Sequence, residues 1–203
     1  LRLDYVFDAL KATREEPQTV ARLMAALDAA LPPELSVVGN ASSLLETAHG
    51  AEIDRRPTIR FNAAGIVKPK AQGSRWDFVA TSNRRVLTHY QHHEPPFHHL
   101  IFTPYLDQHG RALAAIGSRR PVLVCPIRLS RQLSWRCRAR PTTGMQMLFL
   151  LDRLGRRVNL FGFDWKATPT FYDPGRRKDP HDHHRERRLA MDLIERNGWR
   201  VFA

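Results

Sequence analysis

Two asparagines each follow a short apolar run in "LSVVGNASSLLETAHGAEIDRRPTIRFNAA", from Leu35 to Ala64. An amide side chain offers an acceptor oxygen and two donor hydrogens without a charge. That set suits ribose hydroxyls, a base edge or a phosphate oxygen. Asn40 and Asn62 are therefore candidates for holding one ligand between them. The plainer role is turn chemistry, since asparagine bonds its own local backbone. Gly39 would let the backbone approach a ligand closely, or simply make the turn.

A second candidate is "RPTTGMQMLFLL", Arg140 to Leu151. Thr142 or Thr143 can cap the helix that follows, and Gly144 would leave its first amides open. A helix start with open N–H groups attracts phosphate or carboxylate, although a plain N-cap has the same sequence. No G-x-x-x-x-G-K and no G-x-G-x-x-G occurs. The third is "TFYDPGRRKDPHDHHRERR", Thr170 to Arg188, which holds Tyr172, His181, His183, His184 and Glu186. Asp179 as cap and Pro180 as first residue would start a helix there. His181 would then lie in its first turn, where the dipole disfavours the imidazolium and keeps a neutral general base. His181 and His184 also have the look of spaced metal ligands, but no closing Cys or carboxylate set follows at a recognisable interval.

Five of the ten histidines fall in "HYQHHEPPFHH", His89 to His99, which Pro95-Pro96 marks as a loop. Cys125 reads as a small core residue and Cys137 as a bystander among arginines. Two cysteines do not make a disulfide framework, so a reducing compartment is the default.

Elements must position these groups. Val20, Leu23, Met24, Leu27 and Leu31 form a helical stripe over residues 18–31, which Pro32-Pro33 ends. Leu35–Val38, Thr58–Phe61, Asp77–Ala80, Val122–Cys125 and Val158–Phe161 read as strands. Ser43-x-x-Glu46 is a capping-box pattern for a short helix near Ser43. Met145–Leu154 is apolar nearly all round, as a helix inside a core would be. A final helix is expected from about Pro180 to Asn197, with Leu189, Leu193 and Ile194 inward, and Val201-Phe202 adds a terminal strand. This alternation predicts an α/β fold, a Rossmann-like, mostly parallel sheet with helices on both faces, in one domain over residues 1–203. Ligands of such sheets sit beyond the carboxyl ends of the strands, where Asn40, Asn62 and Ser82-Asn83 fall.

The chain of 203 residues is 42% hydrophobic and carries a net charge of +12. No apolar run approaches the roughly 20 residues that cross a bilayer. The charge suits nucleic acid, anionic lipid or phosphorylated small molecules. Its densest run, Arg128 to Arg140, has five Arg and no acid.

Taken together these stretches resemble the animal-type sialyltransferases, glycosyltransferase family 29. "VVGNASSLLETAHGAEIDRRPTIRFNAA" is similar to the large sialyl motif, which opens on VVGNS and closes on R-x-N-x-A. "RPTTGMQMLFLLDRLGRRVNLFGFD" is similar to the small motif, P-S-T-G, an apolar helix and V-x-V-Y-G-F. "TFYD", Thr170–Asp173, resembles motif III, and His181 with Glu186 fits the H-x-x-x-x-E of the very small motif. The four occur in order.

The resemblance implies a sialyltransferase variant of the GT-A type that uses a CMP-sugar donor, needs no metal or other cofactor, and inverts the anomeric carbon. It implies that Asn40 and Asn62 hold the ribose and phosphate, and that Thr142, Thr143 and Gly144 contact the donor, its carboxylate included. Gly162 and Phe163 would lie beside the cytidine, Tyr172 would bond the departing phosphate, and His181 would be the base, with Glu186 supporting the helix start.

In the family a disulfide ties the large motif to the small one. Leu35 and Gly155 stand at the corresponding positions here, which agrees with a bacterial cytoplasmic setting. Thr142 replaces the usual Ser and keeps the hydroxyl, while Thr170 stands where a histidine is frequent. The expected partners are the donor, a glycan acceptor and an anionic membrane surface, with no specific nucleic acid. The competing readings are a transferase of another CMP-linked acid sugar, Kdo-like, and a basic nucleic-acid-binding module. The latter lacks the interleaved aromatics of a single-strand platform.

Overall fold

The computed structural model describes residues 16–63, 65–103, 110–172 and 180–202. Helix α1 (Pro17–Ala30) opens with Pro17, whose missing N–H is harmless in a first turn, and it buries Leu23 and Leu27. Strand β1 (Glu34–Val38) leads through a 3₁₀ turn, Ser42–Glu46, to the short α2 (Gly50–Ile53). Then come β2 (Thr58–Phe61), the short α3 (Pro69–Gln72), β3 (Phe78–Thr81) and α4 (Arg84–His92). They are followed by β4 (His99–Phe102), α5 (Gly110–Gly117), β5 (Val122–Val124) and α6 (Ile127–Cys137). Last come α7 (Thr143–Arg153), β6 (Arg157–Phe161), α8 (His183–Asn197) and β7 (Arg200–Phe202).

The strands form one seven-stranded sheet in the order β5-β4-β3-β2-β1-β6-β7, with every neighbouring pair parallel. The near-continuous apolar runs of β1 and β6 are what strands buried on both faces require. Successive residues of a strand point to opposite faces. Phe78 and Ala80 accordingly join Leu27, Met147, Leu150 and Leu193 in one apolar cluster. Val79 joins Leu23, Leu87, Phe102 and Leu113 in another. Helices thus cover both faces. The order reverses at β1, which has β2 on one side and β6, far along the chain, on the other, with Ser36 opposite both Thr58 and Asn159. A crevice opens at the carboxyl ends of strands where the order reverses.

Several boundaries depart from the sequence reading. The last helix starts at His183 rather than Pro180, because Asp182 is the residue whose carboxylate accepts the Arg185 N–H, at 3.0 Å. Asp179 lies outside the described residues. The capping box at Ser43 does not form: Ala41 is the cap residue without a side-chain bond, and the Ser43 hydroxyl donates to Asp164 Oδ2 at 3.1 Å. The histidine-rich stretch is not one loop. His89 and His92 end α4, whose inner stripe is Val86, Leu87 and Tyr90, and His99 begins β4. Phe97 between them is fully buried. The Arg128–Arg140 run is mostly helix α6, with Leu133 and Cys137 inward.

Asp77 ties β2 to β3 below the site. Its carboxylate accepts from the Thr58 N–H at 2.9 Å and from Arg75 Nη2 at 2.9 Å. Burial pushes this carboxyl up, but Arg75 and Thr58 outweigh burial and hold it below the ordinary aspartate value. A carboxyl held low in the folded chain adds stability above its unfolded value, and that stability is lost as pH falls through the folded value. Asp77→Asn is therefore expected to destabilise by roughly 1–3 kcal/mol at neutral pH. In thermal melts the gap to wild type should close at pH values below the ordinary aspartate range; a constant gap would contradict this account.

Candidate active site

Three turns meet where the sheet order reverses. Gly39 follows β1, Asn62 follows β2 and Gly162 follows β6. The turns after β1 and β6 touch backbone to backbone: Gly39 N donates to Phe161 O at 2.7 Å and Ala41 N to Gly162 O at 3.4 Å. A Cβ on Gly39 would sit 2.2 Å from the Gly162 carbonyl oxygen. Gly39 thus makes room for the neighbouring turn, and that contact accounts for a glycine there.

Hydrogen bonding fixes how both amides present themselves. Asn40 Nδ2 donates to the Phe61 carbonyl at 3.1 Å and to the Tyr172 hydroxyl at 3.3 Å. Its donors are engaged, so what it offers a ligand is an acceptor oxygen. Asn62 is the reverse. The Thr81 hydroxyl accepts from Asn83 N at 2.9 Å, so its one hydrogen goes to Asn62 Oδ1, also at 2.9 Å. Asn62 therefore turns its amide N–H₂ outward. It sits at φ 56°, a left-handed conformation that asparagine tolerates better than most residues. Asn83 caps α4 by accepting the Arg85 N–H at 2.9 Å.

Tyr172 reaches Asn40 because residues 168–172 run alongside the β1 turn. Ser42 N donates to Pro169 O at 2.9 Å, Phe171 N to Asn40 O at 3.1 Å, and Ala41 pairs with Thr170 in an antiparallel bridge. Asp164, which the sequence reading left without a role, locks this segment. Its Oδ2 accepts from Ser43 Oγ and from Thr168 N at 2.9 Å, and the Thr168 hydroxyl bonds it too. Its Oδ1 accepts from Lys166 N at 3.1 Å. Trp165 and Lys166 both take left-handed angles there, φ 57° and 69°. The signal was an acid directly after the aromatic of "GFD", a position where a turn needs a multivalent acceptor.

The start of α7 forms the other wall. Thr142 is its cap and accepts the Met145 N–H at 3.1 Å. Glu186 of α8 receives both the Thr142 N–H and the Thr142 hydroxyl, each at 2.7 Å. Burial pushes the Glu186 carboxyl above the ordinary glutamate value, against the pull of these two bonds and of His181 and His183. Thr143 is largely buried, its hydroxyl 3.4 Å from that of Ser82 after β3. Gly144 faces Phe163: a Cβ there would lie 3.4 Å from the ring. Phe163 in turn packs edge-on against Phe61, with ring centroids 6.0 Å apart.

His181 precedes the Asp182 cap, so it is not in the first turn of α8 and the dipole argument for its neutrality falls. A different contact orients it. Its Nδ1 lies 2.6 Å from the Arg140 carbonyl. A carbonyl only accepts, so Nδ1 carries the hydrogen and a neutral ring has its lone pair on Nε2. This is the tautomer of a base supported from behind.

The structure therefore brings together Asn40, Asn62, Tyr172, Gly162 and Phe163 at the strand ends. Phe163 links them to Gly144, and Glu186 links Thr142 to the helix that follows His181. Asp173 and Ala64, which completed two of the motifs, lie outside the described residues. Cys125 and Cys137 are buried and not joined in a disulfide, and burial raises Cys137 to about 11. Among the described residues no group of three or more His, Cys, Asp or Glu could hold a metal ion, and no helix is long and apolar enough to cross a membrane.

No protein-family model matches the chain, and no curated protein sequence matches it either. Among solved structures, a mammalian sialyltransferase is similar with a TM-score of 0.66 at 17% identity, covering 100% of this chain and 86% of that one. The same values hold for a mammalian sialyltransferase in complex with Gal-beta-1-3GalNAc-ortho-nitrophenol. Over its whole length, this α/β chain has a fold similar to that of a sialyltransferase.

Proposed function

We propose that the protein is an inverting, metal-independent glycosyltransferase of the sialyltransferase family 29 type, moving sialic acid from CMP-sialic acid to a glycan hydroxyl. The observation that carries this reading is the hydrogen-bond pattern at the reversal of strand order. One asparagine presents an acceptor, its neighbour presents donors, and a tyrosine hydroxyl stands beside the first. A nucleoside monophosphate has the complementary set: ribose hydroxyls to donate and phosphate oxygens to accept.

In this reading Asn40 Oδ1 accepts from a ribose hydroxyl and Asn62 Nδ2 donates to the phosphate. The Tyr172 oxygen accepts from Asn40, which directs its own O–H toward the phosphate as the C2–O bond breaks. Phe163 and the Gly162 turn flank the base. Thr143 and Gly144 open α7 toward the sugar carboxylate, where the positive helix end favours an anion, while Thr142, whose two donors go to Glu186, fixes that helix start. The acceptor oxygen attacks C2, its proton passes to His181 Nε2, and CMP leaves with the bonding electron pair. Growing phosphate charge is met by donors already in place, the arrangement that lowers such barriers most. The two buried thiols, not joined in a disulfide, suit a reducing compartment.

The test is calorimetry with CMP, then release of CMP from CMP-sialic acid with and without chelator. CMP binding and chelator-resistant release are expected; no heat of CMP binding would end the proposal. Faster release from another CMP-linked acid sugar would move the donor assignment to that sugar.

Asn62→Asp gives a sharper result. Aspartate tolerates the left-handed backbone as asparagine does, so the fold should hold. The outward donors become a carboxylate facing phosphate. CMP affinity is expected to fall by about 1.5–3 kcal/mol, roughly 10- to 150-fold, with an unchanged melting temperature. Unaltered CMP affinity would remove Asn62 from the phosphate.

A further inference from the structure

A groove outside the site described above runs between the last turn of α6 and the middle of α8. It has a volume of about 550 Å³ and is lined by Trp135, Arg136, Arg138 and Leu189. Trp135 is the most exposed large apolar side chain among the described residues, at 83%. An indole in water is costly to keep there without a use, and a single exposed aromatic beside cations is a frequent anchor for a ligand with one apolar face.

Arg136 is held by its guanidinium, and Arg138 has a fixed backbone place. The Arg136 guanidinium lies over the Phe149 ring, 5.4 Å from its centroid. Arg138 closes α6 at φ 50°, the left-handed position where glycine is the usual residue. Among the described residues neither is paired with a carboxylate, and both line the groove. Arg128 and Arg131 lie exposed earlier on the same helix, and the chain as a whole carries +12.

The segment that lines the groove leads on to the residue that holds His181. Arg140, whose carbonyl holds the His181 ring, is two residues beyond Arg138, a span of at most about 7 Å. Cys137 lies within electrostatic reach of Glu186 and Asp182 at the start of α8.

We propose that this groove is an acceptor subsite that takes a sugar bearing a negative charge, a phosphate or a carboxylate. The ring's C–H face lies on Trp135, against the negative face of the indole. Arg136 and Arg138 bind the charged group, as guanidinium forks bind oxyanions. The subsite's catalytic meaning rests on the transferase reading; its binding chemistry does not.

The experiment compares galactose, galactose 6-phosphate and inorganic phosphate by saturation-transfer NMR. The proteins are wild type, Trp135→Ala and Arg138→Gly. Wild type is expected to bind galactose 6-phosphate about tenfold more tightly than galactose, what one charge-assisted contact contributes. Inorganic phosphate should bind more weakly than the sugar phosphate. Trp135→Ala should lose both sugars. Arg138→Gly relieves the left-handed strain, so it should melt no lower than wild type while losing the preference for the phosphorylated sugar. CMP binding should be unchanged in both variants. Equal binding of the two sugars by wild type, or a preference that survives Arg138→Gly, overturns the subsite. So does capture of wild type but not Trp135→Ala by phosphatidylserine vesicles without sugar binding. Loss of CMP binding by wild type would sink the transferase reading and leave the sugar result standing separately.

Discussion

His181→Ala is expected to lower turnover by about 10²–10⁴-fold while CMP affinity stays unchanged, because a positioned general base contributes that much. The separation follows from geometry. The imidazole is anchored by its Nδ1 to the Arg140 carbonyl, and the amides assigned to the nucleotide lie at the ends of β1 and β2. Removing the ring should not disturb them. The anchor also predicts what fails to rescue: His181→Asn keeps a donor for Arg140 but supplies no basic nitrogen, so it should be as slow as alanine. Single-turnover rates with saturating donor, beside calorimetry with CMP, decide the point. Turnover within a few-fold of wild type in either variant would take His181 out of the reaction. Loss of turnover and CMP affinity together would make it a structural residue.

The second large effect is on the fold. Gly39→Ala places a Cβ 2.2 Å from the Gly162 oxygen, 2.9 Å from the Gly162 carbonyl carbon and 3.1 Å from the Phe163 ring. Two of these are backbone atoms of the adjoining turn, which no rotamer change can move aside. Relief requires parting the ends of β1 and β6, at the expense of the bonds from Gly39 N and Ala41 N. Overpacking and lost bonds together should cost about 3 kcal/mol or more. For a chain of this length that lowers the melting temperature by roughly 6–12 °C. Gly155→Ala is the control. Gly155 is also left-handed, at φ 62°, but a Cβ there meets nothing within 4 Å, so only backbone strain of about 1 kcal/mol should appear. Equal melting temperatures for the two variants would refute the steric account. A melting temperature near wild type with CMP binding lost would confine the effect of Gly39 to the ligand.

Much of this arrangement was legible in the residues because β1, β2 and β6 are short segments with apolar or β-branched residues bounded by turn residues, even though Ser36, Arg60 and Asn159 interrupt them. Their turns carry asparagine or glycine, which mark a turn in any sequence, although what requires Gly39 is its contact with the Gly162 turn. The elements that escaped had mixed signals. Helix α4 has an apolar stripe of Val86, Leu87 and Tyr90 set among histidines and arginines, and β4 begins on a histidine after a proline pair. At the end of the chain Asp179 reads as the cap, and only geometry shows that Asp182 takes the Arg185 N–H. Ser43 illustrates the opposite failure. Its pattern was right for a cap, but a partner more than a hundred residues later, Asp164, takes its hydroxyl. Local rules cannot weigh a competitor that arrives through the fold.

The partnership of β1 with β6 also bears on how the chain comes to exist as a working molecule. During synthesis β1 can recruit β2 through β5 early, but its other edge must wait for β6, since Ser36 finds Asn159 only after most of the polypeptide has emerged. Pairings so distant in sequence are slow and leave an unsatisfied edge open in the interim. A nascent or truncated product ending before Arg157 would expose that edge and lack one side of the crevice at the strand ends, leaving it a target for chaperones.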